Sequence, residues 1–155
     1  MQYPTRRGFC SRFARPGLFL LASVLAGCSQ PVFETSSGQE ISPDQLAGQW
    51  VLVNYWAEWC KPCLEEIPEL NRLDRNSHIV VLGVNFDSIQ GAELEQLAER
   101  MGIDFTVLAR DPGPEFGWET PVALPATFVL NPEGELAEVR FGAQTEEAIR
   151  ELISH

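Results

Sequence analysis

Cys60-Lys61-Pro62-Cys63 narrows the folds open to this chain more than any other segment, because it lies where a buried strand gives way to a helix. Val51 to Trp56 (VLVNYW) is rich in β-branched and aromatic residues, the profile of an interior strand. From Cys60 to about Arg75 the spacing predicts a helix, apolar at Leu64, Ile67, Leu70 and Leu73 and kinked at Pro68. A cysteine in the first turn of a helix meets unsatisfied N–H groups and the positive end of the dipole, which stabilise a thiolate. The thiolate is the reactive form, and Cys-x-x-Cys sites can hold it well below the free thiol value of about 8.5. Two intervening residues let the second sulfur reach the first within one helical turn. Cys60 is thus the expected exposed nucleophile towards a disulfide, and Cys63 the thiol that resolves the mixed intermediate. A static disulfide stapling a turn is the competing reading, and Trp59 beside a helix start argues against it.

The rest of the chain alternates strand and helix and then closes on a hairpin. Ser42 caps a short helix through Ala47, with Pro43 at its first position. Ile79 to Phe86 is a second central strand, Glu93 to Met101 an amphipathic helix, and Phe105 to Leu108 a short third strand. Ala126 to Asn131 and Leu136 to Phe141 form a hairpin about Pro132-Glu133-Gly134. Thr145 caps a last helix through Ile153. This order predicts an α/β fold, a central mixed β-sheet flanked by helices on both faces.

The N-terminus reads as an address. Arg6, Arg7, Arg12 and Arg15 precede an apolar run from Leu18 to Ala26 that is too short for the roughly 20 residues a bilayer span needs. The run ends in Leu25-Ala26-Gly27-Cys28, which resembles the bacterial lipobox. The expected division is a signal peptide over 1–27, a lipidated Cys28 with a flexible tether over 28–39, and a folded domain over 40–155. Ser29 after the cysteine favours the outer membrane over the inner, facing the periplasm. Thr5 to Phe9 only partly matches a twin-arginine signal, so the general secretion route is expected.

Charge is placed unevenly. Four of the eleven basic residues precede Cys28 and no acid does, which leaves seven basic against 22 acidic residues thereafter. Such a surface repels phosphate backbones and argues against nucleic acid as a partner. If Cys10 leaves with the signal and Cys28 carries lipid, two of the four cysteines stay as thiols. A lone Cys-x-x-Cys is half a structural zinc site, and His78 and His155 lie far from it in the chain. No metal and no organic cofactor is expected.

WAEWCKPC resembles the active-site segment of the thioredoxin superfamily, and Asn54 to Leu70 is similar to its TlpA/ResA-like periplasmic branch. The likeness extends over roughly Ser42 to His155, through Pro68, Leu124-Pro125-Ala126-Thr127-Phe128 and Asn131-Pro132-Glu133-Gly134. It implies a thioredoxin fold with the helix–strand insert of that branch over Glu93 to Leu108. It also implies that Leu124-Pro125 is a cis-proline loop facing the active site and presenting the Leu124 backbone to an extended substrate peptide, with Trp59 bordering the reactive cysteine. Asn54 stands where thioredoxin carries a buried Asp, and Glu66 matches the acid that ResA-like proteins place near their cysteines, which implies a proton partner for Cys63; the alternative is a solvated glutamate on the helix surface. Trp56 is expected as structural support, and Trp118 either lines the substrate groove or packs its own loop.

The function so implied is a periplasmic thiol–disulfide oxidoreductase acting on protein disulfides, most naturally a reductase. A DsbD/CcdA-like inner-membrane relay or a soluble periplasmic carrier would supply its electrons. Rival readings are a thiol oxidase or isomerase on the same fold, a peroxiredoxin-type peroxidase, and a non-enzymatic metal chaperone. The peroxidase needs a PxxxTxxC loop where Ala57-Glu58-Trp59 stands. The chaperone needs a wider cysteine spacing with a histidine.

Overall fold

Local sequence preferences settle most elements of the computed structural model, which describes residues 31–75 and 78–154. The expected signal segment and both Cys10 and Cys28 lie outside those residues. In chain order the elements are β1 (Phe33–Glu34), β2 (Glu40–Ile41), α1 (Pro43–Leu46), β3 (Trp50–Trp56), α2 (Lys61–Asp74) and β4 (Ile79–Asn85). There follow α3 (Gly91–Arg100), β5 (Thr106–Val107), α4 (Gly113–Phe116), β6 (Ala126–Leu130), β7 (Leu136–Phe141) and α5 (Glu146–Ile153). Among the described residues no helix is long and apolar enough to cross a membrane.

The main sheet has the order β5-β4-β3-β6-β7. β3 lies at its centre, parallel to β4 and antiparallel to β6. A strand buried on both faces needs apolar residues of both parities, and β3 supplies them. Val51, Val53 and Tyr55 face one layer with Leu82, Val84 and Phe128. Leu52 faces the other with Leu70 and Leu73 of α2 and Ile149 of α5. Trp56 lies on that second face, packed with Leu94 and Leu97 of α3 and with both cysteines. The long helices thus share one face, and the opposite one is covered by the short α1 and α4 with the β1–β2 hairpin. Gly83 of β4 makes room for Trp56: a Cβ there would stand 2.9 Å from the indole nitrogen and 2.9 Å from the Phe105 ring.

Two expectations are corrected, and one open alternative is decided. The tether ends before Phe33 rather than at Gln39, because Phe33 pairs with Ile41 and is buried in the core. Apolar burial of that ring, stacked on Phe116 at 5.0 Å, outweighs the Ser- and Gly-rich composition around it. Leu64 is 44% exposed, off the packed stripe of α2 that Ile67, Leu70 and Leu73 form. Trp118 packs its loop: its ring lies between Phe116 (4.8 Å) and Phe128 (4.6 Å), and its indole N–H donates to the Tyr55 hydroxyl at 2.8 Å.

Candidate functional site

The C-terminal end of β3 and the start of α2 bring the cysteines together. Cys60 is the N-cap residue of α2, with extended backbone and with Pro62 in the first turn. Its sulfur accepts the Cys63 amide N–H at 3.3 Å, the kind of contact that favours negative charge on that sulfur once the pair is reduced. Cys60 and Cys63 are joined as a disulfide, with Cα atoms 5.3 Å apart. Cys63 is fully buried and Cys60 is 4% exposed, so the expected exposed nucleophile is covered while the disulfide is closed. Trp56 and Ala57 share the pair's hydrophobic cluster, and Leu124 packs against that cluster.

Trp59 stands out from this end of the sheet, 65% exposed. Its indole N–H donates to Asp87, 3.0 Å from Oδ2, and its ring meets Phe86 edge-on at 6.3 Å. Across from it the Leu124–Pro125 peptide is cis. Pro125 is buried and Leu124 half-buried, just before β6, whose Ala126 is paired with Tyr55 of β3. Trp59, Cys60, Cys63, Leu124 and Pro125 therefore share one end of the sheet.

Glu66 lies one turn after Cys63 on α2 and is 1% exposed. Positions three apart on a helix share a face, so the carboxyl and the Cys63 sulfur are buried in the same layer. Asn54 Nδ2 donates to Glu66 Oε1 at 2.8 Å and to Thr127 Oγ1 at 3.0 Å. The Gln144 amide N–H donates to Glu66 Oε2 at 2.9 Å. Burial pushes the Glu66 carboxyl up to about 7, against the opposing pull of the Gln144 and Asn54 donors. A group poised there exchanges protons near neutral pH. Glu69, on the next turn, is instead half-buried at the surface, paired with Arg72 and accepting the Glu146 N–H at 3.0 Å.

Sequence reasoning noted Asn54 only as the loss of a buried acid, whereas the structure makes it the clamp that holds another one. Thr127 and Gln144 were missed. Thr127 sits in an apolar strand where its hydroxyl gives no pattern, and Gln144 sits in a loop with no motif. Among the described residues no group of three or more His, Cys, Asp or Glu could hold a metal ion.

Comparison with known proteins agrees with this geometry. The model of the AhpC/TSA family matches residues 27–139. Thioredoxin-like protein YneN of Bacillus subtilis is 28% identical over 124 residues, covering 77% of this chain and 72% of the relative. Thiol-disulfide oxidoreductase ResA of the same organism is 28% identical over 138 residues, covering 85% and 76%. The crystal structure of StoA from Bacillus subtilis shares the fold with a TM-score of 0.62 at 24% identity, over 78% of this chain and 93% of that one.

Proposed function

The chain belongs to the AhpC/TSA family and is a thiol–disulfide oxidoreductase of the thioredoxin fold, and from that premise we propose that it works as a disulfide reductase through Cys60 and Cys63. The observation that carries the reading is the Cys60–Cys63 disulfide at the N-cap of α2, with a buried carboxyl one turn behind it.

In the reduced protein the Cys60 thiolate attacks one sulfur of a substrate disulfide. A mixed disulfide forms and the first substrate thiolate leaves, taking a proton from solvent. Glu66, ionised, accepts the Cys63 proton, and the Cys63 thiolate attacks Cys60 Sγ. The second substrate thiolate leaves, and the two electrons gained by the substrate are those lost in forming Cys60–Cys63. A dithiol donor of the inner-membrane relay class, or a soluble carrier, restores the pair. Leu124 packs against the cluster that holds the disulfide, its backbone pairs with an extended peptide, and Trp59 forms the other wall.

The AhpC/TSA match brings the peroxidase reading back, but Ala57-Glu58-Trp59 stands where its PxxxTxxC loop belongs. The N-terminal sequence supports a lipid anchor at Cys28 and a periplasm-facing domain, with the outer membrane favoured by Ser29. With folding under way at Phe33, five residues on, such a tether reaches at most about 17 Å. That keeps the active site close to its own membrane and favours a soluble carrier for an outer-membrane protein.

Trapping tests the mechanism. Cys63→Ser is expected to accumulate mixed disulfides through Cys60 in cells, and Cys60→Ser to lose insulin reduction. Insulin reduction at the wild-type rate by Cys60→Ser, with no trapped partner, would overturn it.

A further inference from the structure

The loop between β7 and α5 has one residue whose burial its neighbours do not share. Gly142, Ala143 and Thr145 are exposed, while Gln144 is 5% exposed. A polar side chain is buried in a surface loop only when its hydrogen-bonding groups find partners. Those of Gln144 all do. Its backbone N–H donates to Glu66 Oε2 at 2.9 Å. Its Nε2 donates to the Gly142 carbonyl at 2.6 Å, and its Oε1 accepts from Arg140 Nε at 2.6 Å. Gly142 in turn donates its N–H to the Pro125 carbonyl at 2.9 Å. One short loop therefore grips the carbonyl of the proline beside the cysteines and the buried carboxyl behind them.

We propose that Gln144 is a positioning residue that ties the Pro125 loop to the Glu66 carboxyl, so that the substrate-docking edge and the proton acceptor hold one mutual geometry. The proposal rests on the roles given above to Pro125 and Glu66. Peptide engagement at Leu124–Pro125 displaces the Pro125 carbonyl, the Gly142 N–H follows it, and the Gln144 side-chain bond to Gly142 carries the shift to the amide that faces Glu66. Asn54, uncharged, faces the carboxyl from β3 and is itself held by the Thr127 hydroxyl of β6. The ionisable and charged groups around it are Cys63 on its own helix and Arg140 from β7, which is spent on Gln144 and Glu138. At the α5 end, Glu69, Arg72, Glu146 and Arg150 pair among themselves.

Two variants test this: Gln144→Ala, and Gln144→Met, which fills the space without an amide. Both keep the backbone N–H but remove the side-chain bonds to Gly142 and Arg140 that brace it. A loosened donor favours the charged carboxylate less, so the Glu66 midpoint should rise. The carbon-13 NMR titration of the Glu66 carboxyl in the oxidised protein is expected to show its acid dissociation constant lowered about threefold or more in both variants. The pH profile of insulin reduction should move by the same amount, with kcat lowered. An unchanged Glu66 midpoint, with only a lower Tm or a lower kcat, would overturn the proposal. Because the titration needs no turnover, it decides the role of Gln144 even if the wild-type protein proves unable to reduce insulin, a result that would sink the reductase reading instead.

Discussion

Asn54 and Tyr55 are neighbours on β3, yet they anchor two buried polar centres of opposite character. Asn54 points into the helical layer and clamps Glu66. Tyr55 points into the other layer, where its hydroxyl donates to Asp111 Oδ1 at 2.5 Å and accepts the Trp118 indole N–H. Asp111 is spent further on the Gly113 N–H (2.8 Å) and the Thr120 hydroxyl (2.7 Å). Burial pushes both ionisable groups up, but with different results. The phenol goes up further from an already high value, so it stays protonated in any working buffer. The carboxyl goes up to about 7, where it changes charge. Burial with satisfied hydrogen bonds therefore marks structure as readily as chemistry. What separates the two centres is a carboxyl whose charge changes near 7, which the proposed mechanism uses as the proton acceptor for Cys63, one helical turn away.

Glu66→Gln should break that contrast most sharply. Resolution of the mixed disulfide is expected to slow about 100-fold near pH 7, measured by rapid-mixing fluorescence. The same variant changes stability with pH. The carboxyl titrates near its ordinary 4.5 in the unfolded chain and near 7 in the folded one. Between those values the folded state binds more protons, so wild-type stability should fall by about 3 kcal/mol as pH rises and level off above 7. Urea unfolding at pH 5 and pH 8 should show that drop in the wild type and not in Glu66→Gln.

On the Tyr55 side the effects should fall on stability alone. Trp118→Ala removes a ring stacked between Phe116 and Phe128. It is expected to cost about 3 kcal/mol while leaving the pH profile of insulin reduction in place. Tyr55→Phe leaves the Trp118 N–H without its acceptor and removes one of the two donors to Asp111 Oδ1, which keeps the Gly113 N–H. That should cost about 2 kcal/mol, again with no shift in the profile. Any movement of that profile would mean that the two faces of β3 communicate. Asp87→Asn is the mildest case, since it weakens an exposed contact to Trp59. A loss below about 0.5 kcal/mol is expected, with a change in KM rather than in kcat.

Much of the site was legible because its chemistry is local. Cys60 falls at the N-cap of α2, and Cys63 and Glu66 follow at i and i+3 within that helix, a spacing that alone puts those two on one face. The partners of Glu66 were not legible. Asn54 stands 12 residues before it and Gln144 stands 78 residues after it. The two-residue strands β1 and β2 were missed because no alternation can be read over so few residues. Phe33 alone hinted that the segment packs, and one ring amid serines and glycines is a weak signal.

The sequence by itself determined the order of the main strands and helices and the position of the cysteine pair at a strand-to-helix junction, since both rest on contacts between near neighbours in the chain; the proline loop was legible only through the family resemblance. Tertiary structure alone decided that Glu66 is sealed from water, that Cys60 is covered while the disulfide is closed, and that Trp118 braces Tyr55 and not a substrate. Burial, and the dielectric environment that moves a proton affinity, are sums over segments far apart in the chain. A helical face can be read from its spacing, but what closes over it cannot.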